Sequence, residues 1–439
     1  MKKSKHIFKF KPFSKKQRKV LNWWVDTSPV KDYEGIIADG AIRSGKTVSM
    51  ALSFVIWGME NFDGQNLAMC GKTVGSFRRN VWFGLKLMLL SRGYKYKDHK
   101  TENLIEITKG DKVNYFYIFG GKDEGSQDLI QGITLAGIFF DEVALMPESF
   151  VNQGTGRCSV ENSKFWFNCN PDGPMHWFKV NWIDKSIGYL NKEQQRYLAS
   201  KGVSLKNILY LHFTMDDNLS LAEKIKQRYR NMYIGVWFKR YILGLWVMAE
   251  GAIYDMWSEE NEITEEELPV NLKATAMRYI AIDYGTTNPM VFLDIYDDQE
   301  TAWITKEYYY DSKEQGVQKT DEQYADDLDE FTDGEYPIVI LDPSAASFKA
   351  ELRNRGYIVK DADNDVADGI RTTATMIAKR RIKAVKDKCM RTIKDITSYV
   401  WDGKAAQNGV EKPLKVMDHG ADAIRYYVKT IIKPWRLTM

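Results

Sequence analysis

Between residues 33 and 214, short runs of β-branched and aromatic residues alternate with longer stretches of helical period. The runs 35–38, 66–70, 135–140, 164–169 and 207–213 are apolar enough to be strands covered on both faces. Helical patterns follow Lys46, Val74, Glu148 and Leu219. This βαβ rhythm predicts a doubly wound, mostly parallel sheet. Two alternating runs, 104–108 and 113–119, are split by Lys109-Gly110-Asp111-Lys112 and predict an inserted hairpin.

The pattern changes between Leu243 and Arg278. Apolar residues thin out and acids cluster at Glu259, Glu260, Glu262 and Glu265-Glu266-Glu267. The reading is a connection between domains. Strand-like runs then resume at 279–283, 290–295, 302–309 and 337–341, followed by helices alternating with short strands. The predicted organisation is an α/β chain with a doubly wound domain over 1–246, a linker over 247–277 and a smaller mixed-sheet α/β domain over 278–439. A chain of 439 residues, 44% hydrophobic, can bury two separate cores.

Net charge is only +3, so a nucleic-acid partner would be held by local patches rather than by the whole surface. Cys70, Cys158, Cys169 and Cys389 lack CxxC or zinc spacing and read as free thiols. The longest apolar stretch, residues 50–59, is too short to span a bilayer, and no apolar signal core follows the basic start. The expectation is a soluble protein of the cytoplasm with no membrane partner.

Gly40-Ala41-Ile42-Arg43-Ser44-Gly45-Lys46-Thr47 matches GxxxxGK[ST], with a strand before it and a helix after it. Gly40 and Gly45 permit a tight loop whose amides turn onto phosphate. Lys46 would meet the β- and γ-phosphates of ATP, and the Thr47 hydroxyl would ligate Mg²⁺. In Gly137-Ile138-Phe139-Phe140-Asp141-Glu142 an apolar strand ends in two acids. Asp141 would hold Mg²⁺ through water, and Glu142 would polarise the attacking water. The next predicted strand runs into Asn168-Cys169-Asn170-Pro171, where Asn170, or in second place Asn168, would sense the γ-phosphate. In Phe13-Ser14-Lys15-Lys16-Gln17, Gln17 would lie beside the adenine. Arg43, Arg78 and Arg79 are the candidates for neutralising transition-state charge, and the sequence does not choose among them.

A second set of acids lies in the other half. Asp283 and Asp342 each end a strand, and Asp418-His419-Gly420-Ala421-Asp422 opens the last helix. Strand-end and helix-borne carboxylates from distant parts of a chain suit two hard cations, Mg²⁺ or Mn²⁺, about 4 Å apart. Asp283, Asp342 and Asp422 are the candidate ligands. His419, on nearly the same helix face as Asp422, either joins them or caps the helix. Glu307 reads as a surface acid rather than a further ligand.

A P-loop ATPase followed by a ribonuclease-H-like nuclease resembles the large terminase subunit of tailed bacteriophages, in its PBSX-like branch. The resemblance spans essentially the whole chain. Its marks are Gly40 to Thr47, Gln131-Gly132 before the acidic strand, Asn168 to Pro171, Tyr241 to Trp246 with Glu250-Gly251, and the nuclease motifs at Asp283, Asp342 and His419 to Asp422. Where the family often has Lys-Gly after the second nuclease strand, this chain has Lys360-Asp361. The resemblance implies ATP-driven movement of double-stranded DNA into a procapsid, in the cytoplasm of the infected host. It also implies endonucleolytic cuts at the start and end of packaging. Its implied partners are the portal protein and a small terminase subunit, and it implies a homo-oligomeric ring on the portal, with a monomer possible in solution.

Two basic segments fit contact with DNA phosphates. The first nineteen residues hold nine Lys or Arg, no acid, and Phe8, Phe10 and Phe13. The run Lys379-Arg380-Arg381-Ile382-Lys383, with Lys386, Lys388 and Arg391, lies in the nuclease half. Each reads equally as a solvated surface. A helicase–nuclease of repair or defence is the alternative enzyme, but it would need a second motor half. A DNA-binding protein without catalysis is at odds with the intact Lys46, Glu142, Asp283, Asp342 and Asp422.

Overall fold

The computed structural model describes residues 11–286, 288–408 and 410–432. The chain divides into two compact units. One runs through Arg230 and includes Gly235–Met248; the other comprises Asn231–Ile234 and the chain from Ala249 onward. Among the described residues, no helix is long and apolar enough to cross a membrane.

The first unit is built on eight strands: β1 (Gly35–Gly40), β2 (Asn66–Gly71), β3 (Lys95–His99), β4 (Leu104–Lys109), β5 (Lys112–Gly120), β6 (Gly137–Phe140), β7 (Lys164–Asn168) and β8 (Ile208–Phe213). Their order in the sheet is β3-β4-β5-β2-β6-β7-β1-β8. From β5 to β8 every neighbouring pair is parallel. β1 and β6 are buried along their whole length, as strands with helices on both faces must be. Alternate residues of β1 therefore feed two cores. Ile36 and Ala38 join Phe54, Trp57 and Trp166 on one face, and Ile37 joins Phe140, Phe150 and Phe167 on the other.

The expected hairpin is present but is not an insertion. β5 lies parallel beside β2 within the sheet, and β4 and β3 extend it antiparallel to the edge. Residues 95–99 escape a pattern reading because an edge strand of Lys95, Lys97, Asp98 and His99 has little apolar signal; such charges also guard the open edge. The expected 135–140 run contributes Leu135 only as an isolated bridge to Cys158.

The second unit carries β9 (Glu262–Ile263), β10 (Met277–Asp283), β11 (Met290–Asp297), β12 (Ala302–Tyr310), β13 (Ile338–Leu341), β14 (Val359–Asp361) and β15 (Ile382–Val385), in the order β14-β13-β10-β11-β12-β15-β9. The sheet is mixed: β10 is antiparallel to β11 and parallel to β13. The helix His419–Ile431 packs its Ala421, Ile424, Tyr427 and Val428 face into the core beside Ala281, Leu293 and Ile340.

Residues 249–277 differ from the connection expected of them. Ile253, Tyr254 and Trp257 are 5%, 2% and 9% exposed and belong to the second core, and β9 completes the sheet edge. The acids that looked like linker residues answer a basic run brought close by the fold. Glu260 pairs with Arg380 at 2.5 Å, Glu262 with Lys386 at 3.1 Å and Glu265 with Lys388 at 2.5 Å. Arg391 pairs with Glu314 at 2.6 Å. Much of the basic segment read as a DNA guide is thus spent on internal partners. Residues 1–10 of the other basic segment lie outside the described residues.

A fragment beginning at Ala249 should unfold cooperatively in urea, whereas one beginning at Arg278 should be markedly less stable. Replacing Trp257 by Ala in the longer fragment should cost about 3 kcal/mol. Equal midpoints for the two fragments would show that residues 249–277 add nothing to the core.

Candidate functional site

The strand order places β7 between β6 and β1, so the carboxyl end of β7 lies between the Asp141-Glu142 pair and the P-loop. Ligand sites of open parallel sheets sit at this edge. Asn168, the last residue of β7, fills the gap. Its Oδ1 accepts from the Glu142 amide at 2.9 Å. Its Nδ2 donates to Asp141 Oδ1 at 2.8 Å and to Thr47 Oγ1 at 3.4 Å. Glu142 adopts φ +59°, ψ +50°, a left-handed conformation that a residue with a Cβ enters at a cost. The Asn168 bond helps to hold it there.

Lys46 is 6% exposed. Its Nζ is 3.0 Å from the Gly40 carbonyl, 2.6 Å from that of Ala41, 3.2 Å from Ser44 Oγ and 3.2 Å from Asn170 Oδ1. Burial lowers its pKa to about 8, against the opposing pull of Cys169, Asp39, Glu142 and Asp141. Both asparagines of the Asn168–Asn170 run thus reach the P-loop, by different routes: Asn170 touches the lysine, and Asn168 fixes the acids. The sequence ranked Asn168 second because a strand-end amide carries no periodic signal; its role follows from strand order alone.

Gly45 has φ +85°, and a Cβ there would lie 2.3 Å from Gln17 Nε2. Gln17 therefore packs on the loop itself. It is held by a capping box in which Ser14 N donates to Gln17 Oε1 at 3.0 Å and Gln17 N to Ser14 Oγ at 3.2 Å. Arg43, also in the left-handed region at φ +56°, stacks over Tyr229 with its guanidinium 5.4 Å from the ring centre. Arg78 is committed to Asp98 at 2.8 Å. Arg78 and Arg79 open the π-helical turn Arg78–Trp82, a rare geometry often found at functional sites.

In the second unit, Ile282 is in register with Leu341, so Asp283 and Asp342 stand at adjacent strand ends. His419 Nδ1 lies 2.8 Å from Asp283 Oδ2. Asp342 Oδ2 accepts from Tyr426 at 3.0 Å and Asn364 at 2.8 Å, and its Oδ1 accepts from the Ser344 amide at 2.7 Å. Asp422 is matched by Lys415 at 2.7 Å, Arg425 at 3.1 Å and Tyr399 at 3.3 Å. Lys415 also bonds Asp418, at 2.9 Å. Burial raises the Asp283 pKa to about 6; Asp422 and Asp418 push the same way, and His419 opposes. Burial works to raise Asp422 too, but Arg425 and Lys415 hold it below the usual carboxylate range.

The candidate ligands are thus gathered in one region, and Tyr426 feels the charge of Asp283, Asp422 and Asp342. Among the described residues, no group of three or more His, Cys, Asp or Glu is arranged to hold a metal ion. Asp422 faces two cations of its own chain, Lys415 and Arg425, and His419 pairs with Asp283. Asp418, 5% exposed and beside the same charges, is a further acid of the region, one that stands in the sequence motif but was not among its expected ligands. Glu307, half-buried, has a local partner as well. It accepts from the amides of Arg391 and Thr392 at 2.9 and 2.7 Å, capping the helix Met390–Ser398. Cys70, Cys158, Cys169 and Cys389 are free.

Burial raises the Asp141 carboxyl to about 6, with Glu142 adding to the effect and Asn168, Thr47 and Lys46 opposing it. An unfolded Asp titrates near 3.9, so the folded state binds the proton more tightly. In chelator, this group's contribution should be most favourable below about pH 4 and decline by about 3 kcal/mol as pH rises through 6. Urea titrations of wild type and Asp141→Asn at pH 4 and pH 7 check this. The variant should lack that part of the decline, and an unchanged pH slope would contradict it.

Residues 37–260 match the family model described as "Terminase large subunit, T4likevirus-type, N-terminal". The solved large terminase of a thermophilic bacteriophage is 53% identical, covers 96% of this chain and 100% of its own, and superposes with a TM-score of 0.83. The same phage protein in complex with ADP is 52% identical, with a TM-score of 0.79, and in complex with ATP-γ-S 51%, with a TM-score of 0.79. Both cover 96% of this chain and 100% of their own. No curated protein matches at a significant level. These likenesses place the chain in a family and not on one branch of it: the chain belongs to the large terminase subunits of bacteriophages.

Proposed function

We propose that this terminase hydrolyses ATP at the edge formed by the P-loop and the ends of β6 and β7, and cuts DNA at the carboxylates of the second unit. Hydrolysis would drive double-stranded DNA into a procapsid, and cutting of concatemeric DNA would start and end packaging. The observation that carries this reading is a pair of hydrogen-bonded sets around one loop, Asn170 with Lys46 and Asn168 with Thr47, Asp141 and Glu142. It is supported by the nucleotide complexes of the thermophilic phage's terminase.

In the motor, the amides of Gly40 to Thr47 would cradle the phosphates, and Lys46 would exchange the Gly40 and Ala41 carbonyls for phosphate oxygens. Asp141 and Thr47 would hold Mg²⁺, which neutralises phosphate charge when bound. The raised Asp141 carboxyl fits such a cation, since a buried acid beside Glu142 lacks full compensation. Glu142 would orient the attacking water, Asn170 would report the γ-phosphate, and Gln17 would support the loop beside the base. Arg43, Arg78 and Arg79 remain the candidates for neutralising charge in the transition state; Arg78 must first leave Asp98.

In the nuclease, Asp283, Asp342, Asp422 and His419 would hold two Mg²⁺ or Mn²⁺ ions, which activate water and stabilise the leaving oxygen when bound. The like charges of Asp418 and Asp422 acting on Asp283 fit a cation site. Lys415 would have to leave Asp422 as metal enters. We place the boundary between motor and nuclease near Met248. The partners of this reading are double-stranded DNA, a portal protein and a small terminase subunit. A homo-oligomeric ring would assemble from monomers on the portal, in the cytoplasm of the infected host.

Lys46→Ala should abolish ATP turnover, and Glu142→Gln should still bind ATP while hydrolysing it very slowly. Asp342→Asn should abolish metal-dependent cutting of plasmid and leave ATP turnover near wild type. Mn²⁺ should raise the melting temperature of the wild-type chain more than that of Asp342→Asn. Equal shifts in the two proteins would remove Asp342 from the metal site.

A further inference from the structure

The P-loop is gripped from behind by a segment that returns to it late in the first unit. The π-helical turn Phe238–Ile242 presents the Tyr241 carbonyl to the Ile42 amide at 2.9 Å, in the middle of the loop. Gly244, at φ +72°, packs so closely that a Cβ would lie 2.8 Å from Gly40 Cα, from Ala41 N and from His212 Cε1. Only glycine fits both the backbone and the space. Trp246 Nε1 then donates to Asp39 Oδ2 at 2.7 Å.

Asp39 is the residue before Gly40 and is fully buried. Its Oδ1 accepts from Tyr210 at 2.8 Å and lies 3.1 Å from His212 Nδ1, both on neighbouring β8. The strand side thus serves one oxygen and the returning segment serves the other. Its charge also helps Lys46 to keep a proton. Arg240, 1% exposed, fastens the same segment elsewhere: it pairs with Asp172 at 2.8 Å, two residues past Asn170, and its Nε donates to the Val247 carbonyl at 3.0 Å. The segment is therefore tied to both loops that contact Lys46. It ends at Met248, where the chain passes into the second unit.

We propose that Trp246 and the buried carboxylate of Asp39 form a latch through which the nucleotide state of the P-loop sets the conformation of residues 241–248, the segment that leads into the nuclease unit. They are positioning residues, and neither is placed against nucleotide. The inference rests on the reading of residues 40–47 as the ATP site. When phosphate draws Lys46 away from the Gly40 and Ala41 carbonyls, the backbone held by Tyr241, Gly244 and Trp246 must readjust. The latch carries that readjustment to the segment because a buried carboxylate cannot give up a donor without cost.

The test is hydrogen exchange on the full chain with and without ATP-γ-S, together with steady-state ATP turnover. In wild type, nucleotide should slow exchange at residues 40–47 and alter it at 241–248. Trp246→Phe keeps a ring and removes the N–H. It should retain the slowing at 40–47, lose most of the response at 241–248, and lower kcat about tenfold with KM changed less than about twofold. Tyr210→Phe removes a donor to the same carboxylate from the strand side and should keep the response at 241–248. A wild-type response at 241–248 in Trp246→Phe would overturn the latch. So would a fall in melting temperature with nucleotide protection lost at both segments, the mark of a merely structural bond. Absence of slowing at 40–47 in wild type would instead refute the ATP-site reading itself.

Discussion

Parallel strands send their carboxyl ends to one edge of a sheet, and both candidate sites depend on that. In the first unit the edge collects the P-loop after β1, the acids after β6 and the asparagines at and after β7. In the second unit it collects Asp283 and Asp342, from β10 and its parallel neighbour β13. The hydrophobic cores hold the strands in register, and register decides which polar side chains meet. A slip of one residue would turn every side chain of a strand to the other face and take Asn168 away from Asp141.

Burial then makes these groups useful and costly together. Asp141 and Asp283 are both pushed to about 6, and Lys46 is lowered to about 8. The chain offsets part of that cost with its own groups: Asn168 for Asp141, His419 for Asp283, and Lys415 with Arg425 for Asp422. The same partners must be rearranged when phosphate or metal arrives. Lys46 on carbonyl oxygens and Lys415 on two aspartates are both cations placed where an incoming ligand would compete.

A DNA-packaging ATPase and nuclease must also carry information along the chain. The segment returning to the P-loop offers a physical route, because a backbone hydrogen bond, a glycine contact and an indole bond to a buried acid converge on three consecutive P-loop positions and the residue before them. The segment starts in a π-helical turn, Phe238–Ile242, from which the Tyr241 carbonyl reaches the Ile42 amide.

Residues with strong local signatures were legible without coordinates. Gly40 to Thr47 announce themselves because glycine, lysine and threonine at fixed spacing have few other uses, and the apolar runs ending in Asp141, Asp283 and Asp342 are visible as buried strands ending in acid. The α/β class, the mostly parallel first sheet and the mixed second sheet followed from the same periodicities. Contacts between distant residues decided the rest. The acids at 259–267 looked like a linker because their partners Arg380, Lys386 and Lys388 are more than a hundred residues away. β3 was too polar to show a pattern, Glu307 became a cap only once the helix Met390–Ser398 lay beside it, and Asp39 lay just past the predicted run 35–38 with nothing to single it out. Periodicity reports which face of an element meets a core. Only the tertiary structure decides which polar groups at the ends of those elements find one another, because that depends on strand order, which no local pattern encodes.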